Sequence, residues 1–142
     1  MPIRLLFILA CALSAGCGSN SPFDYEKVAG EIMYDDGTPI PAGGMQLRFA
    51  AQDAPTLENA YPRPAVANVD EQGAFDCVTS YKYGDGLIPG RHKVAIEVGL
   101  SPGGKTLVPK EYTSITTTPL VIDTENAPLE IKVPKPDAKL PK

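Results

Sequence analysis

The densest chemical signature in the chain is Gly99-Leu100-Ser101-Pro102-Gly103-Gly104-Lys105-Thr106, which satisfies the phosphate-loop spacing GxxxxGK[ST]. In such a loop glycine amides cradle phosphate, the lysine reaches the outer phosphates and the hydroxyl holds Mg²⁺. An apolar strand precedes it, and Leu120-Val121-Ile122-Asp123 mimics the acidic strand that would help hold the metal. The chemistry also needs a helix that starts at Gly104 to Thr106 and aims its N-terminus at the phosphate. The next residues are Leu107-Val108-Pro109, and a proline beyond the opening helical position removes a hydrogen bond and clashes with the preceding turn. The 13 residues from Leu107 to Pro119 are too few for both a helix and a crossover to a parallel strand. A loop joining two strands is therefore expected. The same run spells GxSxG from Gly99 to Gly103. That nucleophile elbow needs a strand-turn-helix and a histidine after the serine. His92 is the only histidine and precedes Ser101. Alternation points it inward, so a core-edge ring with a local hydrogen bond is expected rather than a general base.

The remaining candidates are weaker. Asp35, Asp36, Asp85, Asp123 and Glu125 all fall in turns. Acids gathered at one end of a sandwich can bind Ca²⁺, but no ligand spacing here matches a calcium loop. They are expected to be solvated turn acids, with no metal or cofactor site. Tyr81 and Tyr83, joined by Tyr61 and Tyr112, could stack on sugar faces, yet the chain has no Trp and aromatics total only 7%. Core or edge packing is the expectation for these rings.

Positioning elements follow from periodicity. Apolar residues on every second position mark a strand half-buried on one face. Val28, Gly30, Ile32 and Tyr34 share one face; Met45, Leu47 and Phe49 alternate with Gln46 and Arg48; His92, Val94, Ile96 and Val98 do so with Lys93, Ala95 and Glu97. Ala65 to Val69 and Ala74 to Ser80 read as a hairpin across Asp70-Glu71-Gln72-Gly73, with Phe75, Cys77 and Thr79 on one face. Leu120 and Ile122 pair in a last hairpin with Leu129, Ile131 and Val133 across the turn at Thr124 to Ala127. Fifteen Pro and 13 Gly among 142 residues disfavour long helices, and short strands separated by turns predict an all-β, seven-stranded antiparallel sandwich of two sheets. The hydrophobic fraction of 43% supports one real core and argues against global disorder. A formal net charge of −4 excludes a generally basic nucleic-acid binder.

The N-terminus, MPIRLLFILACALSAGC, carries Arg4, an apolar run from Leu5 to Leu13, then Ser14, Ala15, Gly16 and Cys17. Nine apolar residues are too few to span a bilayer, which needs about 20, but they suit the apolar region of a signal peptide. The ending resembles the lipobox of bacterial lipoproteins, with Ser14 where leucine is usual. This resemblance implies cleavage before Cys17, a diacylglycerol on its thiol and acylation of the new amino terminus. Gly18 is not the aspartate of an inner-membrane retention signal, which favours the outer membrane in a host that has two. Cleavage removes Cys11 and lipid occupies Cys17, so Cys77 is left alone and is expected to be a buried, inert thiol. Loss of Arg4 leaves 12 basic and 17 acidic residues, a balance of −5, so the anchor rather than charge would hold the domain to the membrane.

The division expected is a cleaved signal over 1–16, the lipidated Cys17 and a polar tether over 17–27, a sandwich over 28–133 and a flexible Pro/Lys tail over 134–142. The elements VAGEIMYDDGTPIPAGGMQLRF, AVANVDEQGAF, YGDGLIPGRHKVAIEV, VPKEYTSITTTPLVID and LEIKV together resemble the carboxypeptidase regulatory-like, transthyretin-like domain of small bacterial envelope lipoproteins. His92 stands where that family usually places Tyr in its Gly-x-aromatic-x-Val step. The resemblance implies a prealbumin-like sandwich and no catalytic residues. A structural or adhesive envelope module follows, with an envelope protein as partner. The alternatives are a carbohydrate- or cell-wall-binding module and, behind it, an envelope enzyme.

Overall fold

The computed structural model describes residues 21–99 and 101–136. The signal segment, residues 17–20 at the start of the tether and residues 137–142 of the tail lie outside the described residues.

Strands form where apolar residues alternate, because successive side chains in an extended chain point to opposite faces. Gly30–Tyr34 (β1) buries Ile32 and Tyr34. Gln46–Ala51 (β2) buries Leu47 and Phe49 between exposed Gln46 and Arg48. Ala65–Asn68 (β3) buries Ala65 and Ala67, and Ala74–Phe75 (β4) buries Phe75. Arg91–Glu97 (β5) carries His92, Val94 and Ile96 inward. Val121–Asp123 (β6) is short and half-exposed. Leu129–Val133 (β7) alternates without a break.

The seven strands form two sheets, ordered β4-β1-β7 and β3-β2-β5-β6. The all-β, two-sheet architecture agrees with the sequence reading; the uniformly antiparallel pairing does not. β1 and β7 run parallel, Gly30 opposite Leu129 and Tyr34 opposite Val133. Parallel neighbours need a long connection, and here the connection is the chain from Asp35 to Pro128. Period-2 patterning reports which face is buried and carries no information on the direction of the neighbouring strand.

Both expected hairpins are corrected for the same reason. The Asp70 turn forms: Asp70 Oδ1 accepts from the Gln72 and Ala74 amides at 2.9 and 2.8 Å. It hands β4 to the other sheet, beside β1, and the chain rejoins β3 only at the Val66–Thr79 bridge. Phe75 and Val78 are the buried residues of this segment, so Cys77 is half-buried rather than buried. After β6, Asp123 accepts from the Glu125 amide and caps the 3₁₀ turn Thr124–Asn126. The Leu129 amide then donates to the Ala29 carbonyl, which seats β7 beside β1 instead of β6.

The core is one cluster fed by both sheets. Phe49 of β2 and Phe75 of β4 meet across it, with ring centroids 6.2 Å apart. The packing extends past the expected domain edge. Phe23 is 7% exposed, and Glu26 and Leu87 exchange backbone hydrogen bonds at 2.9 Å. Gly86 makes this tie feasible: its φ is +104°, and a Cβ there would strike the Glu26 carbonyl oxygen. At the other end Lys135 pairs with Asp36.

Candidate functional site

The segment carrying both nucleotide-loop and nucleophile-elbow spacing folds as a surface connection. Its 3₁₀ turn Pro102–Gly104 is broken by Gly103 at φ 68°, and Lys105 is already extended. A second 3₁₀ turn, Lys110–Thr113, follows Pro109. Among the described residues no α-helix begins at Lys105 or Thr106, so the helix N-terminus that phosphate binding needs is not formed there. Ser101, Lys105 and Thr106 border a depression of about 370 Å³ with Glu97, whose carboxylate is paired with Arg48 at 2.7 Å.

His92 sits near the start of β5, whereas Ser101 lies beyond its far end. The five residue steps from His92 to Glu97 alone span about 17 Å, so the two cannot form a nucleophile–base pair. The imidazole is 3% exposed. Its Nε2 lies 2.8 Å from the Ile88 carbonyl oxygen, so Nε2 carries the proton and donates. Nδ1 has no hydrogen-bond partner among the described residues. Phe49 meets the ring edge-on at 6.5 Å. Burial is the largest influence and pushes the pKa of His92 down. The expected core-edge ring is observed.

Of the turn acids, Asp35 and Glu125 are exposed, and the other three are occupied by local work. Asp36 accepts from Thr38 and pairs with Lys135. Asp85 accepts from the amides of Ser80, Tyr81 and Lys82. Asp123 serves as a cap, and Glu125 is exposed in the same turn. Among the described residues no three His, Cys, Asp or Glu side chains converge on a metal-sized site.

The tyrosines divide. Tyr112 is buried under the Lys110–Thr113 turn, and burial raises its pKa. Tyr83 is exposed beside Cys77, and the neighbouring thiol is the main reason its pKa is raised. Tyr61 and Tyr81 come together. They line a groove of about 420 Å³ with Tyr25, Phe23, Arg63 and three prolines, Pro22, Pro62 and Pro64. This groove is the candidate functional site.

Three segments build it. Ser21–Glu26 is held by Phe23 in the core edge and by the Glu26–Leu87 tie. The approach to β3 is folded back at the Leu57–Ala60 bridge and stiffened by Pro62 and Pro64, whose φ angles are locked. Tyr81 stands on the loop that Asp85 organises. The Arg63 guanidinium lies 5.0 Å above the Tyr81 ring centroid, a cation–π distance. Tyr61 is 86% exposed and Tyr81 37%.

Sequence reasoning singled out Tyr61 and Tyr81 but missed Phe23, Tyr25 and Arg63. The polar composition around residues 18–26 masked the alternation of Phe23 with Tyr25, and Tyr61-Pro62-Arg63-Pro64 read only as loop punctuation. The chain matches no family model, no curated protein and no solved structure.

Proposed function

We propose that this chain is a lipid-anchored cell-envelope protein without catalytic activity, a structural or adhesive module in which one sandwich is presented at a membrane surface. In this reading the sandwich is a transthyretin-like, carboxypeptidase regulatory-like domain with a parallel β1–β7 pair in its smaller sheet. The observation that carries the reading is the apolar run Leu5 to Leu13 followed directly by Ser14-Ala15-Gly16-Cys17. Acyl chains contribute ~0.8 kcal/mol per buried CH₂, and more than one chain is needed for firm attachment. The chemistry of the folded part supports a binding rather than a reacting role. Its single histidine is sequestered against Ile88 and Phe49. Asp36, Asp85 and Asp123 stabilise turns. Exposed rings and loop segments at the sandwich end are the surfaces left for recognition.

The test is metabolic labelling with a clickable fatty acid in a bacterial host. The wild-type chain should take up label and fractionate with membranes. Cys17→Ala should lose the label and the membrane association together. Label that persists in Cys17→Ala, or a wild-type chain that takes up none, would overturn the reading.

A further inference from the structure

We propose that the groove of Tyr25, Tyr61, Arg63 and Tyr81 docks on the headgroup region of the bilayer, holding the sandwich against the membrane by this end. The inference rests on the lipid-anchored reading and adds the surface with which the domain meets the membrane.

Chain length is the first argument. Pro22, at the groove's edge, is five residues from Cys17. Five residues reach at most about 18 Å even when fully extended. Acyl chains on Cys17 therefore confine the groove to the neighbourhood of the interface. The opposite end of the sandwich, where Lys105 follows β5, is a further strand length away, about 20 Å for the six steps of β5. So short a tether also gives the groove a high effective concentration at the lipid surface. Contacts far too weak to bind membrane from solution then suffice to hold the domain down.

The groove's chemistry is the second argument. Aromatic residues with a polar tip settle at membrane–water interfaces, with the ring in the apolar boundary and the hydroxyl in the headgroups. Of the large apolar residues that are exposed among the described residues, Tyr61 and Tyr81 line the groove and Leu57 lies on the same loop as Tyr61, while Tyr83 and Val121 lie outside it. Arg63 supplies a donor for phosphate oxygens. Exposed Asp24 and Glu58 on the adjoining segments outnumber it, so these residues together carry no net positive charge. The contact is thus suited to a zwitterionic interface rather than to attraction by anionic lipid.

Sugar stacking is the competing use of the same rings. Arg63 covers one face of Tyr81, while Tyr61 stays open, so the rings alone do not choose between the two. The short reach from Cys17 favours lipid.

The absence of Trp from the chain permits a direct test. The full-length protein is exported with its own signal, its acyl mass is verified, and it is reconstituted into phosphatidylcholine vesicles containing brominated lipid. Tyr61→Trp and Lys105→Trp each place one fluorophore at an exposed position, the first in the groove and the second at the far end. Tyr61→Trp emission should fall ~2-fold or more on the brominated vesicles, as for an interfacial ring, while Lys105→Trp should not change. Raising the salt concentration should leave that contrast intact. An acylated, vesicle-bound protein in which both reporters are equally unquenched would overturn the docking and leave the anchor standing. A chain that carries no acyl mass would overturn the anchor and the docking with it. Protection of Tyr61→Trp by soluble peptidoglycan fragments, without quenching by brominated lipid, would assign the groove to glycan and also refute the docking.

Discussion

His92 shows how a single buried ring links packing to pH. Its Nε2 proton is held by Ile88, and Nδ1 is enclosed without a partner among the described residues. Protonation would place a charge against Phe49 in the core, and the Ile88 hydrogen bond together with the acids Asp123, Asp53 and Glu26 only partly offsets that cost. The folded state therefore favours neutral imidazole, while the unfolded chain takes up a proton at the ordinary value of about 6.5. The stabilisation is complete above that value and declines as pH falls through it toward the lower folded value. Urea midpoints measured from pH 7.5 down to 5 should fall more steeply for the wild-type protein than for His92→Phe, which keeps a ring and removes the titration. Parallel profiles would show that His92 does not carry the dependence.

At the scale of an element, the loop from Ser80 to Gly86 is organised by one carboxylate. Asp85 is partly desolvated, which by itself would raise its pKa. The amides of Lys82, Ser80 and Tyr81 outweigh that effect and hold it below the usual carboxylate range. The Asp85 contribution is therefore present above the unfolded carboxylate value and is lost as pH falls toward the folded one. Asp85→Ala leaves three amides without their acceptor and should cost roughly 1–3 kcal/mol by urea denaturation at neutral pH. It should also raise amide exchange at Ser80, Tyr81 and Lys82 and loosen Tyr81 in the groove. The acid was legible from sequence as a turn residue. Its three donors were not, because they depend on a loop closing around it.

The whole molecule is held by one core shared between two unequal sheets, so unfolding is expected to be a single transition. Phe49 is fully buried at the seam, touching Phe75 of the opposite sheet and His92 of its own. Phe49→Ala should lower stability by ~3–5 kcal/mol. The urea midpoint should drop with little change in slope, since the surface exposed on unfolding is nearly the same. A two-step transition would show instead that the sheets unfold independently. Chain connectivity argues against that outcome. The path crosses between sheets after β1, β3, β4 and β6, so neither sheet is continuous in sequence.

Residue alternation by itself determined that this chain forms strands, where most of them lie, which residues of β1, β2, β5 and β7 face the core and that His92 points inward. Those properties are local: a side chain's face depends on its position modulo two, and a turn on the few residues within it. Strand partners, the parallel β1–β7 pair, the switch of β4 and β7 between sheets and the half-exposure of Cys77 were decided only by tertiary structure. So was the gathering of Tyr25, Tyr61, Arg63 and Tyr81 from three separate segments. Each depends on contacts between residues far apart in the chain, and alternating hydrophobicity is identical whichever strand lies alongside.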